Sequence, residues 1–483
     1  METPGIDSTG LPASPTAEAP ALERSAVSLA ASTIMAIAAS APGQATALAI
    51  GPLIVASAYG GGVAVLLTTA VMLAIALAYQ RLNLWEQDTG GAFTWVARAV
   101  HPYFGFLVGW TMLAAFVLAT ISDILPIGPA VLTMLGVADT SSAIGEIISA
   151  TLLGGAVTAT AVYGMRASAR FQLIIAAIEY SILAGFCIAG VVVVFIQQRE
   201  GTVQPSWEWF SLSGVGGEGS LVAGMLLAVY LFAAWDTAIY ISEETERPET
   251  NPGNAGLIAV AILGVIYTTM IITLQGAAPR SGIEEAGESA LVFIAGELVG
   301  EPWDKLMALA IVLSILGTTQ ACLVSAARIS YSMGRDRVLP KILGKIDPRR
   351  HTPAVATTIF GAAAIVGCWL YVSLSSVAGA FDTALGTVGV LFALFYAATA
   401  VTMTWYYRRL LTRSFTDALL VGVLPVAAAA VLAYIAILSI GDLTAASKWT
   451  LAGIGAVGVL ALIVGAYVRR VPYFRTERET YEP

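Results

Sequence analysis

Apolar residues in this chain fall in long runs separated by short polar stretches, among them Val63 to Tyr79, Leu173 to Ile196 and Ala308 to Leu316. A helix needs about 20 mostly apolar residues to cross the hydrocarbon of a bilayer, so each run predicts a helix in lipid. The strands of a closed barrel would instead show alternating segments of about 10 residues, and the chain has no such alternation. The expected fold is therefore all-α and integral to a membrane. The runs predict spans over 27–50, 53–79, 103–135, 144–164, 170–196 and 219–240, then 254–276, 304–333, 354–373, 378–407, 417–440 and 447–468. That makes about twelve transmembrane helices, an even number that puts both termini on one side.

Composition agrees. Of 483 residues 57% are hydrophobic and 12% charged, with mean hydropathy +0.81, against about 25% charged in a soluble domain. The net charge of −8 says little about partners, because orientation follows where Lys and Arg sit. Placing the termini in the cytoplasm puts nineteen of the 24 basic residues on that side; Arg199, Arg280, Lys305 and Lys448 fall opposite, and Arg328 lies inside a span. A multi-pass protein of the cytoplasmic membrane, with both termini cytoplasmic, is expected. Residues 1–24, rich in Pro, Ala, Ser, Thr and Glu, read as a disordered tail without a signal peptide. The connections 197–218 and 277–303 then face outward as loops with a short surface helix.

Candidate chemistry is sparse. Cys187, Cys322 and Cys368 lie in separate apolar stretches without CxxC spacing, and His101 and His351 stand beside prolines in polar connections. Neither set suits a metal site or a catalytic triad, so no enzyme, metal or cofactor is expected.

Two spans carry interruptions. Ser40, Ala41, Pro42 and Gly43 fall mid-span, where proline removes a donor and glycine admits non-helical angles. A broken helix there would point freed N–H groups at an anionic ligand, a carboxylate by preference; a proline kink used only for packing is the alternative. The sixth span, YLFAAWDTAIYISEETERPETNPGNAGL, holds Asp236 within apolar sequence, where an ionisable group is costly and by default functional. The alternative is a protonated, hydrogen-bonded structural carboxyl. Trp235 is either packing or a stacking face for an ammonium. Glu179, in LIIAAIEYSILAGF, has no basic sequence neighbour and is a candidate for proton coupling, or else a permanently protonated structural group.

Three segments, GGAFTWVARAVHPYFGFLVGW (Gly90 to Trp110), FAAWDTAIYISEETERPETNPG and SAARISYSMGRDRVLPKILGKIDPRRHTPAVAT (Ser325 to Thr357), together resemble the amino acid, polyamine and organocation superfamily of transporters over nearly the whole chain. The resemblance implies two inverted five-helix repeats, 27–196 and 219–407, with broken spans one and six, two extra helices in 417–468 and a tail over 471–483. It implies a carboxylate site on Ser40, Ala41, Pro42 and Gly43, and an amine site on Phe232, Ala233, Ala234, Trp235 and Asp236. The first break lacks the glycine-rich form common in relatives, and Ala234 stands where many have glycine. Glu179 falls where some proton-coupled relatives carry a lysine in place of sodium, so either H+ or Na+ coupling is open, with Thr318 and Thr319 as neighbours. Glu243 and Glu244 resemble the family's acidic pair, expected to organise loops near Arg335 and Arg337.

The expected function is secondary transport of amino acids or related amines by alternating access, coupled to protons or working by exchange, with the bilayer and a small solute as partners and no nucleic acid. Asp123 and Asp236 keep a polyamine or organic-cation substrate open, Asp123 being a further coupling candidate. A channel or membrane receptor is the rival from another class, separable by counterflow of labelled solute.

Overall fold

A computed structural model describes residues 21–135, 143–215, 218–374 and 377–481. The expected tail residues 1–20 lie outside the described part. The helices, in chain order, are α1 (Leu29–Ala39), α2 (Pro42–Ser57), α3 (Gly61–Trp85), α4 (Ala92–Ala99), α5 (Pro102–Ile124), α6 (Ile127–Met134), α7 (Ala143–Val162), α8 (Met165–Gly190), α9 (Glu218–Leu231), α10 (Thr237–Tyr240), α11 (Asn251–Leu274), α12 (Arg280–Ala286), α13 (Ala290–Val299), α14 (Lys305–Arg335), α15 (Ala354–Leu374), α16 (Val377–Tyr406), α17 (Phe415–Asp417), α18 (Leu424–Asp442) and α19 (Ala445–Ile463). Among the described residues eight helical stretches are long and apolar enough to cross a membrane, the first running through Leu29–Trp85, and shorter apolar helices accompany them at Ile147–Val162, Ser220–Leu231, Ala290–Val299 and Ala354–Leu370.

Span limits differ from the sequence reading where the chain turns without losing apolar character. Pro52 lies inside α2, and the second span starts only at Gly61, after a turn at Ala58–Gly60. The predicted span 103–135 is divided after Ile124, with α6 following as a separate short helix. The connections expected to face outward are more than surface loops: Trp209 stacks on Tyr59 with ring centroids 5.7 Å apart, and Ile283, Leu291 and Ile294 are fully buried, with α12 and α13 packed on α2.

Helix pairing has a regular pattern. The elements of span one pack on those of span six (α2 on α9, α1 on α10), α3 packs on α11, α5 on α14 and α7 on α15. The elements of spans one to four thus each pack on an element five spans later. Close approach depends on small residues: a Cβ on Gly264 of α11 would lie 2.3 Å from the Thr69 methyl of α3. In α19, Val457, Leu460 and Ile463 are exposed, an apolar surface suited to lipid rather than water.

Both described chain ends lie at one end of the bundle, here the terminal face. Ala26 and Val27 donate backbone N–H bonds to the Glu244 carbonyl (2.8 and 3.1 Å), and Glu479 N–H donates to the Arg98 carbonyl (2.8 Å). The opposite face carries the 197–215 and 277–303 segments, joined by Val203 N–H to the Gly276 carbonyl (2.9 Å).

Candidate functional site

Both predicted interruptions are present, and each turns on an alanine in the left-handed region. Ala41 has φ 48° and Ala234 φ 65°, a conformation that costs a non-glycine residue roughly 1–2 kcal/mol. Span six is unwound over 232–236 even though Ala234 carries a Cβ.

The carbonyls released by the breaks cannot be left bare at membrane depth. Hydroxyls from four elements serve them. Thr318 Oγ1 of α14 donates to the Ala39 carbonyl (2.8 Å) and Tyr267 Oη of α11 to the Ser40 carbonyl (2.9 Å). Ser40 Oγ donates across to the Ala233 carbonyl (2.8 Å), which ties one break to the other. Thr237 Oγ1 closes the far side by donating to the Ala234 carbonyl (2.9 Å).

Between the breaks lies a cavity of about 20 Å³, walled by Ser40 and Ala41, Ser122 and Asp123 of α5, Tyr230, Ala233 and Ala234, Thr318 and Cys322 of α14, and Phe392 of α16. It holds little more than one water. Toward the opposite face Tyr230 also walls a second, apolar cavity of about 290 Å³ between α2, α9, α16 and α18. Toward the terminal face the way is closed by aromatic rings: Trp235 stacks on Tyr396 (5.6 Å), Tyr79 meets Trp235 edge-on (5.1 Å), and Phe116 packs on Tyr240 and Phe392 (both 5.2 Å).

Beyond the rings come charges. Arg328 and Glu244, 1% and 0% exposed, form a two-point ion pair (Nε–Oε2 2.6 Å, Nη2–Oε1 3.0 Å). Further out, Arg335 pairs with Asp88 and with Glu243 (3.1 Å), and Thr89 donates to the same Glu243 carboxylate through N–H (3.2 Å) and hydroxyl (3.1 Å). Arg335, Asp88 and Glu243 border a terminal-face basin of about 790 Å³ that also includes Glu86, Arg98 and Asp336. Burial, with help from Asp88 and against Arg335 and Arg98, pushes the Asp336 carboxyl up to about 6. Glu86 is raised too, by burial first, with Arg98 opposing. The acidic pair thus splits: Glu243 meets Arg335, while Glu244 takes Arg328, which the sequence left alone inside a span.

The structure brings Ser40, Ala41, Ala233, Ala234, Asp123 and Thr318 together around the cavity. Phe232 instead packs edge-on to Tyr267 (5.4 Å). The Asp236 carboxylate accepts from Tyr240 and from Tyr396 (2.8 Å), binding span six to α16. Pro42 opens α2, and the Gly43 N–H donates to Glu179 Oε1 and Ser314 Oγ, both at 3.1 Å. Glu179 is therefore beside Ser314 rather than Thr318 or Thr319: Thr318 serves Ala39 and Asp123 Oδ2 (3.2 Å), and Thr319 bonds the Ile315 carbonyl of its own helix. Sequence reasoning missed Ser122, Tyr230, Ser314 and Cys322. Ser314, Thr318 and Cys322, spaced four apart, form a small polar stripe on one face of an apolar helix, and that periodicity was available as a signal.

A family model described as amino acid permease matches residues 24–462. The chain is 25% identical over 301 residues to the low-affinity putrescine importer of Escherichia coli (strain K12), covering 61% of this chain and 64% of the importer, just under two thirds of its length. It is 26% identical over 348 residues to a branched-chain amino acid permease of Lactococcus lactis subsp. cremoris (strain MG1363), covering 68% and 70% of the two chains. It is 24% identical over 334 residues to a methylthioribose transporter of Bacillus subtilis (strain 168), covering 64% and 68%.

Proposed function

The chain belongs to the amino acid permease family, and from that premise we propose that it is a secondary active transporter moving amino acids or related amines by alternating access. The family is one of transporters rather than enzymes, and this chain is assigned no reaction. It crosses the cytoplasmic membrane twelve times with both termini in the cytoplasm, so that the terminal face is the inner one; the concentration of basic residues there supports this orientation.

One observation carries the proposal: α1/α2, α5, α9, α14 and α16 all contribute walls to a single enclosed cavity where two helices are interrupted. A site blocked on one side by Tyr230 and on the other by rings and ion pairs suits a carrier, whose site opens to one face at a time, better than a continuous pore. Solute binds at the place this cavity marks, which widens as one gate opens, with its ammonium toward Asp123. Coupling passes through Glu179, which joins the start of α2 to α8 and Ser314 of α14. When protonated it is neutral; when ionised it is an anion held at a helix N-terminus, so proton exchange there changes how firmly three moving elements are joined.

Counterflow tests the function. Proteoliposomes preloaded with unlabelled amine or amino acid and diluted into trace label should accumulate the label transiently above its equilibrium level. Monotonic equilibration without overshoot, for every solute that enters, would overturn the carrier assignment.

A further inference from the structure

The cavity is electrostatically one-sided. Among the described residues that wall it there is no Lys, Arg or His, and Asp123 is the one carboxylate. The nearest buried cation on α14, Arg328, lies ten residues beyond Thr318, about 15 Å along the helix, and is already committed to Glu244. Among the described residues of the wall, nothing cationic therefore stands ready to meet a carboxylate on the solute.

Three of the wall's hydroxyls are committed as well. Ser40 Oγ–H goes to the Ala233 carbonyl, Ser122 Oγ–H to the Ala119 carbonyl (3.0 Å), and Thr318 Oγ–H is shared between the Ala39 carbonyl and Asp123. The opening of α2 is the natural anion site, because the first N–H groups of a helix lack partners within it. Pro42 has no N–H to offer, and the Gly43 N–H is taken by the carboxylate of Glu179. The first anion-binding donor of the broken span is thus filled from within the protein. An internal carboxylate stands there, and a second, Asp123, faces the cavity.

From the Gly43–Glu179 contact and the cavity's lone Asp123 we infer that this transporter takes organic amines that lack a carboxylate, with Asp123 as the specificity-determining counter-ion. This rests on the site assignment made above and narrows it. A zwitterionic amino acid would bring its carboxylate into a cavity with an acidic wall, no cation, and a first helix donor already filled by Glu179, a mismatch that binding sites penalise strongly when buried. The decarboxylated counterpart of the same molecule presents only the ammonium, which Asp123 satisfies by a charge-assisted hydrogen bond.

The test is a set of matched pairs measured on the purified full-length protein in detergent: putrescine against ornithine, ethanolamine against serine, isobutylamine against valine. Ligand-induced rise in melting temperature, titrated for each compound, gives apparent affinities. In at least one pair the amine should bind about tenfold or more tightly than its amino acid, and Asp123→Asn, itself melting as a folded protein, should lose that preference by about tenfold or more. Glu179→Gln, which keeps an oxygen for the Gly43 N–H but removes the charge, should weaken discrimination against the amino acids. An amino acid that binds as tightly as its amine in every pair that binds, no binding by any amine, or amine affinity unchanged in Asp123→Asn, each overturns the inference. Counterflow keeps the two proposals apart: an amine that binds selectively but shows no overshoot defeats the carrier assignment and leaves this one standing, whereas an overshoot with amino acids alone does the reverse.

Discussion

Removing Arg328 should cost the protein more than removing Arg328 and Glu244 together. The pair is fully enclosed, 1% and 0% exposed, and is two-point at 2.6 and 3.0 Å. Arg328→Met preserves length and apolar packing but leaves the Glu244 carboxylate buried without a cation, a loss of about 3–5 kcal/mol. Adding Glu244→Gln removes the orphaned charge; what remains is an imperfectly bonded amide, worth about 1–3 kcal/mol. The double variant is thus expected to recover about 2 kcal/mol relative to Arg328→Met, and the two substitutions to be far from additive. Cys322 and Cys368 are buried and Cys187 is half-buried, all three as free thiols, so unfolding in detergent can be followed with a thiol-reactive dye that fluoresces as they become exposed. The double variant should melt above Arg328→Met. A double variant that melts as low as the sum of the single losses would refute the claim that an unpaired buried charge dominates. Because the Glu244 carbonyl also holds Ala26 and Val27, Arg328→Met should increase protease cleavage of the N-terminal segment as well.

Three other outcomes are expected. Gly43→Leu should abolish uptake while protein still reaches the membrane: even a Cβ there lies 3.2 Å from the Ala310 carbonyl oxygen and from Glu179 Oε1, and near-normal solute binding by this variant would make the first break a packing kink. Glu179→Gln should lose acceleration of uptake by an imposed pH gradient; if the wild type responds to the gradient and the variant responds equally, coupling lies elsewhere. Asp336 titrates at about 6 in the folded protein against 3.8 ordinarily, so the folded state holds the proton more tightly and stability from this group falls as pH rises from about 4 to 6. Asp336→Asn should therefore raise the melting temperature at pH 7.5 more than at pH 4.5, and an identical gain at both would refute the assignment.

The spans were legible because lipid imposes a length and a composition that no soluble helix must meet, and the breaks because Pro42, Gly43 and Asp236 are out of place in such sequence. The backbone solution was less so. Ala41 and Ala234 adopt the left-handed conformation without being glycine, held there by hydroxyls of Tyr267, Thr237 and Ser40; that support comes partly from other helices, and no local pattern announces it. Register between helices was likewise hidden. Glu179 meets Ser314 and not Thr318 or Thr319 because α8 and α14 cross about one turn away from the position a sequence count suggests. Asp236 was recognisable as costly, yet its partners Tyr240 and Tyr396 are four and 160 residues away, and only the nearer one could be read from helical spacing.

The most direct measurement of alternating access at this cavity uses Ala119→Cys, a wall position beside Ser122, after replacement of the three native cysteines, alkylated by a membrane-impermeant reagent in sealed vesicles of either orientation. Loosening the terminal-face gate with Arg335→Gln, which releases Asp88 and Glu243, should change the two rates reciprocally, faster from the terminal face and slower from the opposite face, with a transported amine slowing both. Rates that rise together from both faces, or that ignore the gate and the amine alike, would contradict the account.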